Sequence, residues 1–127
     1  MDSFLMSLSK IINFNFFHIY IIMTTPEIKI KIDNYRSVMS KLIHNQPGFE
    51  YSCLYDNAMN LYAEIIDANN KLRNDVERKI IYIDHLINIS NNKNIINELI
   101  KQKILLQKFF RSIIDPKTPK TILQRIQ

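Results

Sequence analysis

The chain has 127 residues, a length typical of a single folded domain, and 46% of them are hydrophobic, which is enough for one core. Charged residues make up 23% and both signs occur, which excludes an intrinsically disordered protein. Only one Gly and four Pro are present, so tight turns are scarce, which argues against a many-stranded sandwich or barrel. We therefore expect an all-α fold with one helical domain over 24–127.

The net charge of +5 is unevenly distributed along the chain. From Glu50 to Glu98 the acidic residues outnumber the basic ones eight to five, whereas from Leu99 onward seven Lys and Arg face Asp115 alone. A basic C-terminal third permits attraction to nucleic acid, to anionic lipid or to an acidic protein.

Residues 4–23 form a hydrophobic N-terminal segment rich in Ile and Phe. A membrane span needs about 20 mainly apolar residues, and the uninterrupted part that follows Lys10 is shorter. A cleaved signal peptide fits poorly, because Asp2 opens the chain and no small residues precede a cleavage point. Two interpretations stay open: the segment is a membrane anchor, or residues 1–22 are an upstream extension of a protein that begins at Met23.

Residues 27–33 alternate Ile with Lys, the period of a half-buried strand. We predict a single edge strand or extended arm here. The alternative is a helix that starts with Thr25 as N-cap and Pro26 as first residue.

An amphipathic helix is predicted next, capped by Asp33 or Asn34. Its apolar positions follow the i, i+3, i+4, i+7 pattern: Tyr35, Val38, Met39, Leu42 and Ile43. The polar run 45–48 contains Pro and Gly and should end it.

The stretch 50–90 lacks Pro and Gly and predicts one long coiled-coil-like helix. Its apolar seam, in steps of four and three, is Leu54, Ala58, Leu61, Ile65, Ala68 and Leu72, continued by Val76, Ile80, Ile83 and Ile87. The opposite face should be solvated and carries Asp56, Asn60, Glu64, Asp67, Lys71, Asn74 and Arg78.

The polar run 90–94 can reverse the chain, and the following helix should extend from Ile95 to Asp115, where Pro116 stops it. These helices predict a helical hairpin, or a three-helix bundle with the helix before it. The expected core face of the later helix is Ile95, Leu99, Leu106, Phe110 and Ile113. A short last helix should be capped by Thr118, with Pro119 as its first residue.

No catalytic, metal or cofactor site is predicted. His18, His44 and His85 are far apart in sequence and lack the close spacing of metal ligands. Cys53 has no second cysteine to pair with, and we expect it to be a small buried hydrophobic residue. The chain has no Gly-rich loop and no strained glycine turn for a nucleophile, so we expect a protein that is not an enzyme.

A second apolar row lies beside the seam of the long helix and is the predicted protein interface: Tyr55, Met59, Tyr62 and Ile66. Two apolar rows over about 40 residues exceed what one other helix of about 20 can cover. Uncovered apolar patches mark partner sites, and Tyr suits an interface edge. We predict a helical interaction subunit or adaptor that contacts a protein partner or a second copy through this row.

The alternative function is nucleic-acid binding through the basic C-terminal region. Its candidate residues are Lys101, Lys108, Arg111, Lys117, Lys120 and Arg125. Phe109 and Phe110 should point toward the core, so base stacking is not implied. A solvated basic face is the more frequent meaning of such a stripe.

The sequence also resembles a known group of proteins. The stretches 34–42 (NYRSVMSKL), 51–56 (YSCLYD) and 61–65 (LYAEI) resemble the short helical accessory proteins of insect baculoviruses. The resemblance covers the chain from Met23 onward and contains no diagnostic motif. It implies a non-enzymatic component of a virion or an oral-infectivity complex, working through protein contacts in an infected cell.

Overall fold

The computed structural model of the protein describes residues 26–126. Of these residues 86% are helical and none lies in a strand. The four helices are α1 (26–43), α2 (Phe49–Ile89), α3 (Lys93–Ser112) and α4 (Pro119–Ile126). The all-α fold predicted from composition and periodicity is confirmed.

The described residues divide into two compact units. The three-helix unit comprises α1, α2 up to Asn70, and the chain from Asp115 onward with α4. The hairpin unit is Lys71–Ile114, which contains the rest of α2 and all of α3. The single domain expected over 24–127 stays a prediction.

Helix α1 replaces the strand predicted over 27–33, and that prediction was wrong. Ile28 is buried, Ile32 four positions later packs against the core, and Tyr35 seven positions after Ile28 is buried, which is the spacing of one helix face. Ile30, between them, is 60% exposed. The Ile and Lys alternation is therefore the N-terminal part of a helical stripe. The alternative, a helix that includes Pro26, is the correct one, and Asp33 and Asn34 lie inside α1 instead of capping it.

The core of the three-helix unit lies between α1 and the first part of α2. Its buried residues are Tyr35, Met39, Leu42, Ala58 and Ile65. The two helices are antiparallel, since Lys31 reaches Glu64 (Nζ to Oε2 3.8 Å) while the Tyr35 ring, further along α1, lies 6.3 Å from the ring of Tyr62, earlier on α2. The Lys31–Glu64 pair is exposed, so it contributes little to stability.

Helix α4 packs against the same core through Ile122 and Leu123. Its start is capped as predicted, because Thr118 Oγ1 accepts a hydrogen bond from the Thr121 N–H (3.1 Å). Pro119 in the first turn is fully buried.

Two polar contacts hold the segment before α4. The Tyr35 hydroxyl donates to the Lys117 carbonyl (2.6 Å), and Asn69 Nδ2 donates to Asp115 Oδ1 (3.1 Å).

The hairpin unit has the reversal predicted around residues 90–94. Asn92 is the N-cap of α3, and its Oδ1 accepts from the N–H groups of Asn94 (3.0 Å) and Ile95 (3.3 Å). Lys103 forms an ion pair with Asp84 (2.6 Å), and Arg73 Nη2 donates to the Ile113 carbonyl (3.2 Å). The later residue of α3 thus meets the earlier residue of α2, which is an antiparallel hairpin.

The predicted buried positions of the hairpin unit are mainly correct. Val76 and Ile83 of α2 are buried, as are Ile95, Leu99 and Leu106 of α3. Phe110 and Ile113 are half-buried, and α3 ends at Ser112, three residues before the predicted end at Asp115.

Candidate interaction surfaces

The four residues of the predicted protein interface lie on the first part of α2, in the three-helix unit. Tyr55 and Tyr62 are half-buried and pack against the internal core. Met59 is 40% exposed, and Ile66 is half-buried. The row therefore has an inner pair that belongs to the core and an outer pair at the edge of the buried face.

Helix α1 explains why the inner pair is covered. The predicted helix began at Asp33 or Asn34, whereas α1 also includes 26–32, and its 18 described residues make about five turns. The added turns bring Ile32 against the core that contains Tyr35. Less of α2 is left uncovered than the sequence predicted, and the outer pair, Met59 and Ile66, is the part that another molecule could contact.

Tyr35 is the most perturbed titratable group of this region. Burial, followed by the charge of the neighbouring Tyr62 phenol, raises the pKa of Tyr35 from 10.0 to about 12. The hydroxyl is therefore protonated at neutral pH and donates to the Lys117 carbonyl. Its role is to fasten α1 to the chain before α4.

The six basic residues of the alternative function are all exposed, as predicted. Lys101, Lys108 and Arg111 lie on α3, in the hairpin unit, whereas the other three lie in the three-helix unit. Lys120 and Arg125 are on α4, and Lys117 precedes that helix. Within residues 26–125 no salt bridge involves any of the six.

Helix α3 carries exposed apolar residues that the sequence analysis did not single out. Ile100 is 40% exposed, Ile104 is 44% exposed and Leu105 is 59% exposed. The sequence spacing could have identified this row, because Ile96, Ile100 and Ile104 follow one another at steps of four. They lie beside the buried positions of α3 and not among them.

The face of α2 that was expected to be solvated is exposed at all seven positions. Cys53 is also exposed, so the expectation that it is buried was wrong. It lies in step with Asn57, Asn60 and Glu64 on the polar side of α2, and not with Leu54 and Ala58.

Between residues 26 and 126, His, Cys, Asp and Glu side chains form no group of three or more that could hold a metal ion. None of the described helices combines the length and the apolar content that crossing a bilayer would need. The hydrophobic segment 4–23, for which a membrane anchor and an upstream extension were the two interpretations, lies outside the described residues, as does His18.

Comparison with known proteins returned no relative. No protein-family model, no curated protein and no solved structure matches the chain.

Proposed function

We propose that the protein is a non-catalytic helical interaction subunit, or adaptor, which contacts a protein partner or a second copy through the outer edge of the apolar row on α2. The proposal rests on the exposure of Met59. Its side chain is 40% exposed, while Tyr55 and Tyr62, one turn away on the same row, pack against the core. Met is a flexible apolar side chain that is enriched at protein interfaces.

The neighbouring side chains support the same proposal. Tyr55 and Tyr62 are half-buried at the edge of the core, an arrangement that leaves part of each ring in reach of another molecule. Tyr presents a large rigid ring and a polar hydroxyl, which suits an interface that is apolar in its centre and wet at its rim. Following the baculovirus resemblance, we propose that the partner is another component of a virion or infectivity complex.

The direct test is the Met59→Glu variant. Met59 is exposed, so a carboxylate there should leave the fold intact, while it would place a charge in the centre of the proposed contact. A matched control is Asn60→Glu, which adds the same charge at the next position on the solvated face of α2. Tyr62 is a poor test position, because its ring packs against the core.

The measurement is sizing chromatography with light scattering and crosslinking, with circular dichroism to check helicity. Met59→Glu should abolish self-association or the recovery of a crosslinked partner, and Asn60→Glu should retain it. A wild-type protein that is monomeric and recovers no crosslinked partner would refute the proposal, as would equal effects of the two variants.

The second candidate function is nucleic-acid binding, which the exposure of all six predicted basic residues favours. Phosphate contacts release counterions, so such binding must weaken steeply as salt is raised. Contact through the apolar row should be nearly independent of salt. A mobility-shift salt series on the wild-type protein therefore distinguishes the two functions.

A further inference from the structure

Among the described residues, helix α3 packs against its neighbours through one side. Its buried residues, Ile95, Leu99, Gln102 and Leu106, fall within about 60° of one another at 100° per residue. The side opposite them is exposed and mixes cations with apolar residues. We call it the α3 cationic face, and its residues are Lys93, Asn97, Ile100, Lys101, Ile104, Lys108 and Arg111.

The α3 cationic face spans an arc of about 100° and a length of about 27 Å. The acidic residue of α3, Glu98, lies about 60° outside that arc. Lys101 has Glu98 one turn away on its own helix, whereas Lys93, Lys108 and Arg111 have no carboxylate of α3 as a neighbour. A helix surface that mixes cations with exposed apolar residues suits a membrane surface or an acidic partner.

The composition of the face distinguishes among these partners. Protein interfaces are enriched in aromatic residues, Met and Arg and depleted in Lys, whereas this face has three Lys, one Arg, two Ile and one Asn. Nucleic-acid surfaces use polar or aromatic side chains between their cations; Asn97 is the one uncharged polar residue of this face, and Ile100 and Ile104 offer neither hydrogen bonds nor stacking. An anionic lipid surface can interact with both kinds of residue: its headgroups attract the cations, and the apolar side chains insert at the boundary of headgroups and acyl chains.

We propose that the α3 cationic face binds the surface of an anionic membrane, with α3 lying in the plane of the interface. Lys101 and Lys108 extend toward the headgroups from one side of the Ile100 and Ile104 row, and their aliphatic stems cover apolar surface. The proposal concerns the hairpin unit and is independent of the protein contact proposed on α2.

The experiment is co-sedimentation of the full chain with two kinds of vesicle: phosphatidylcholine alone, and phosphatidylcholine with about one third phosphatidylserine. We expect binding to the anionic vesicles that weakens as salt is raised, because surface attraction falls off within a Debye length. Any binding through residues 4–23 is common to all variants, so the differences between variants report on α3.

Two pairs of variants separate charge from apolar insertion. Lys101→Gln with Lys108→Gln should lower the partition coefficient on anionic vesicles about 30-fold, since each cation contributes about fivefold. The charge control is Lys71→Gln with Arg78→Gln, which removes the same charge from exposed positions of α2 and should change binding little.

Ile100→Asn with Ile104→Asn should lower the partition coefficient about 10-fold, because each side chain is partly exposed and inserts only in part. The apolar control is Ile30→Asn with Ile81→Asn, two exposed isoleucines outside α3. Circular dichroism checks that every variant keeps the helicity of the wild type.

Three outcomes would overturn the proposal. The first is equal wild-type binding to the two kinds of vesicle. The second is that a variant pair on α3 weakens binding no more than its control. The third is salt-dependent binding to duplex DNA that the lysine pair weakens and the isoleucine pair does not, with no binding to anionic vesicles, because that result assigns the face to nucleic acid.

Discussion

The hydroxyl of Tyr35 on α1 donates a hydrogen bond to the backbone carbonyl of Lys117, with 2.6 Å between the two oxygens and 82 positions between the residues in sequence. Tyr35 is only 2% exposed, and its ring lies 6.3 Å from that of Tyr62. One side chain therefore contributes to the core through its ring and fastens the segment before α4 through its hydroxyl.

Replacing Tyr35 with Phe should keep the ring in the core and remove this hydrogen bond. We expect the free energy of unfolding to fall by about 1 kcal/mol, the usual net contribution of one such bond, or by more because the Lys117 carbonyl loses its donor. Chemical denaturation followed by circular dichroism measures the change. The control is Tyr51→Phe on the edge of the same core; an equal loss there would show that the Tyr35 hydrogen bond is not the cause.

Stability should depend on the titration of Tyr35 at alkaline pH. Burial and the charge of Tyr62 raise the pKa of Tyr35 from 10.0 to about 12, so the folded state favours the protonated phenol. This contribution is fully present below pH 10.0 and is lost as the pH rises toward about 12, by at most about 1.4 kcal/mol per pH unit. The difference in unfolding free energy between wild type and Tyr35→Phe should therefore shrink over this range. Parallel pH profiles for the two proteins would contradict the assignment.

The cap of α3 should contribute measurably to the hairpin unit. Asn92→Ala removes the oxygen that accepts from the Asn94 and Ile95 N–H groups, and we expect a loss of about 1 kcal/mol. Asn92→Asp keeps an acceptor and should retain most of that stability. Asn91→Ala, one position earlier and also exposed, is the matched control. If it destabilises as much as Asn92→Ala, the capping bonds are not responsible.

Replacing Gln102 on α3 with an apolar residue should stabilise the protein. It is buried, and its Oε1 has no hydrogen-bond partner among the described residues, while its Nε2 lies 3.5 Å from Glu98 Oε1, at the limit of a hydrogen bond. Because an unsatisfied buried acceptor costs about 1 kcal/mol or more, Gln102→Leu should raise the unfolding free energy by about that amount. Gln107→Leu, at a half-buried position of the same helix, should raise it less. A loss of stability in Gln102→Leu would mean that the amide is satisfied.

Local pattern was enough to predict much of this protein. The absence of Pro and Gly over 50–90 predicted α2, and period-3.6 spacing identified its solvated face and most of the buried positions of α3. The Thr118 cap with Pro119 was also predicted correctly. These features depend on residues within one or two turns of each other, which is why sequence spacing reports them.

The errors arose where a local pattern was ambiguous. Ile28, Ile30 and Ile32 fit a strand, and only their continuation into the stripe of Tyr35 and Met39 makes them helical. A strand also needs a pairing partner, and the described residues contain no strand. Because the predicted helix began only at Asp33 or Asn34, it was shorter than α1, and the apolar surface expected to be uncovered on α2 was too large.

What the sequence by itself determined was α2, α3, α4 and the second half of α1, with the polar face of α2 and the positions of the cations, because helical periodicity and capping are short-range. The tertiary structure alone decided which half of the Tyr55 to Ile66 row is covered, that Asn69 and Gln102 are buried, and that Tyr35 reaches Lys117. Each of these depends on residues that are distant along the chain and adjacent only after packing. A polar residue within a helical stripe is buried or exposed according to which helix lies against it, and the spacing within its own helix does not contain that information.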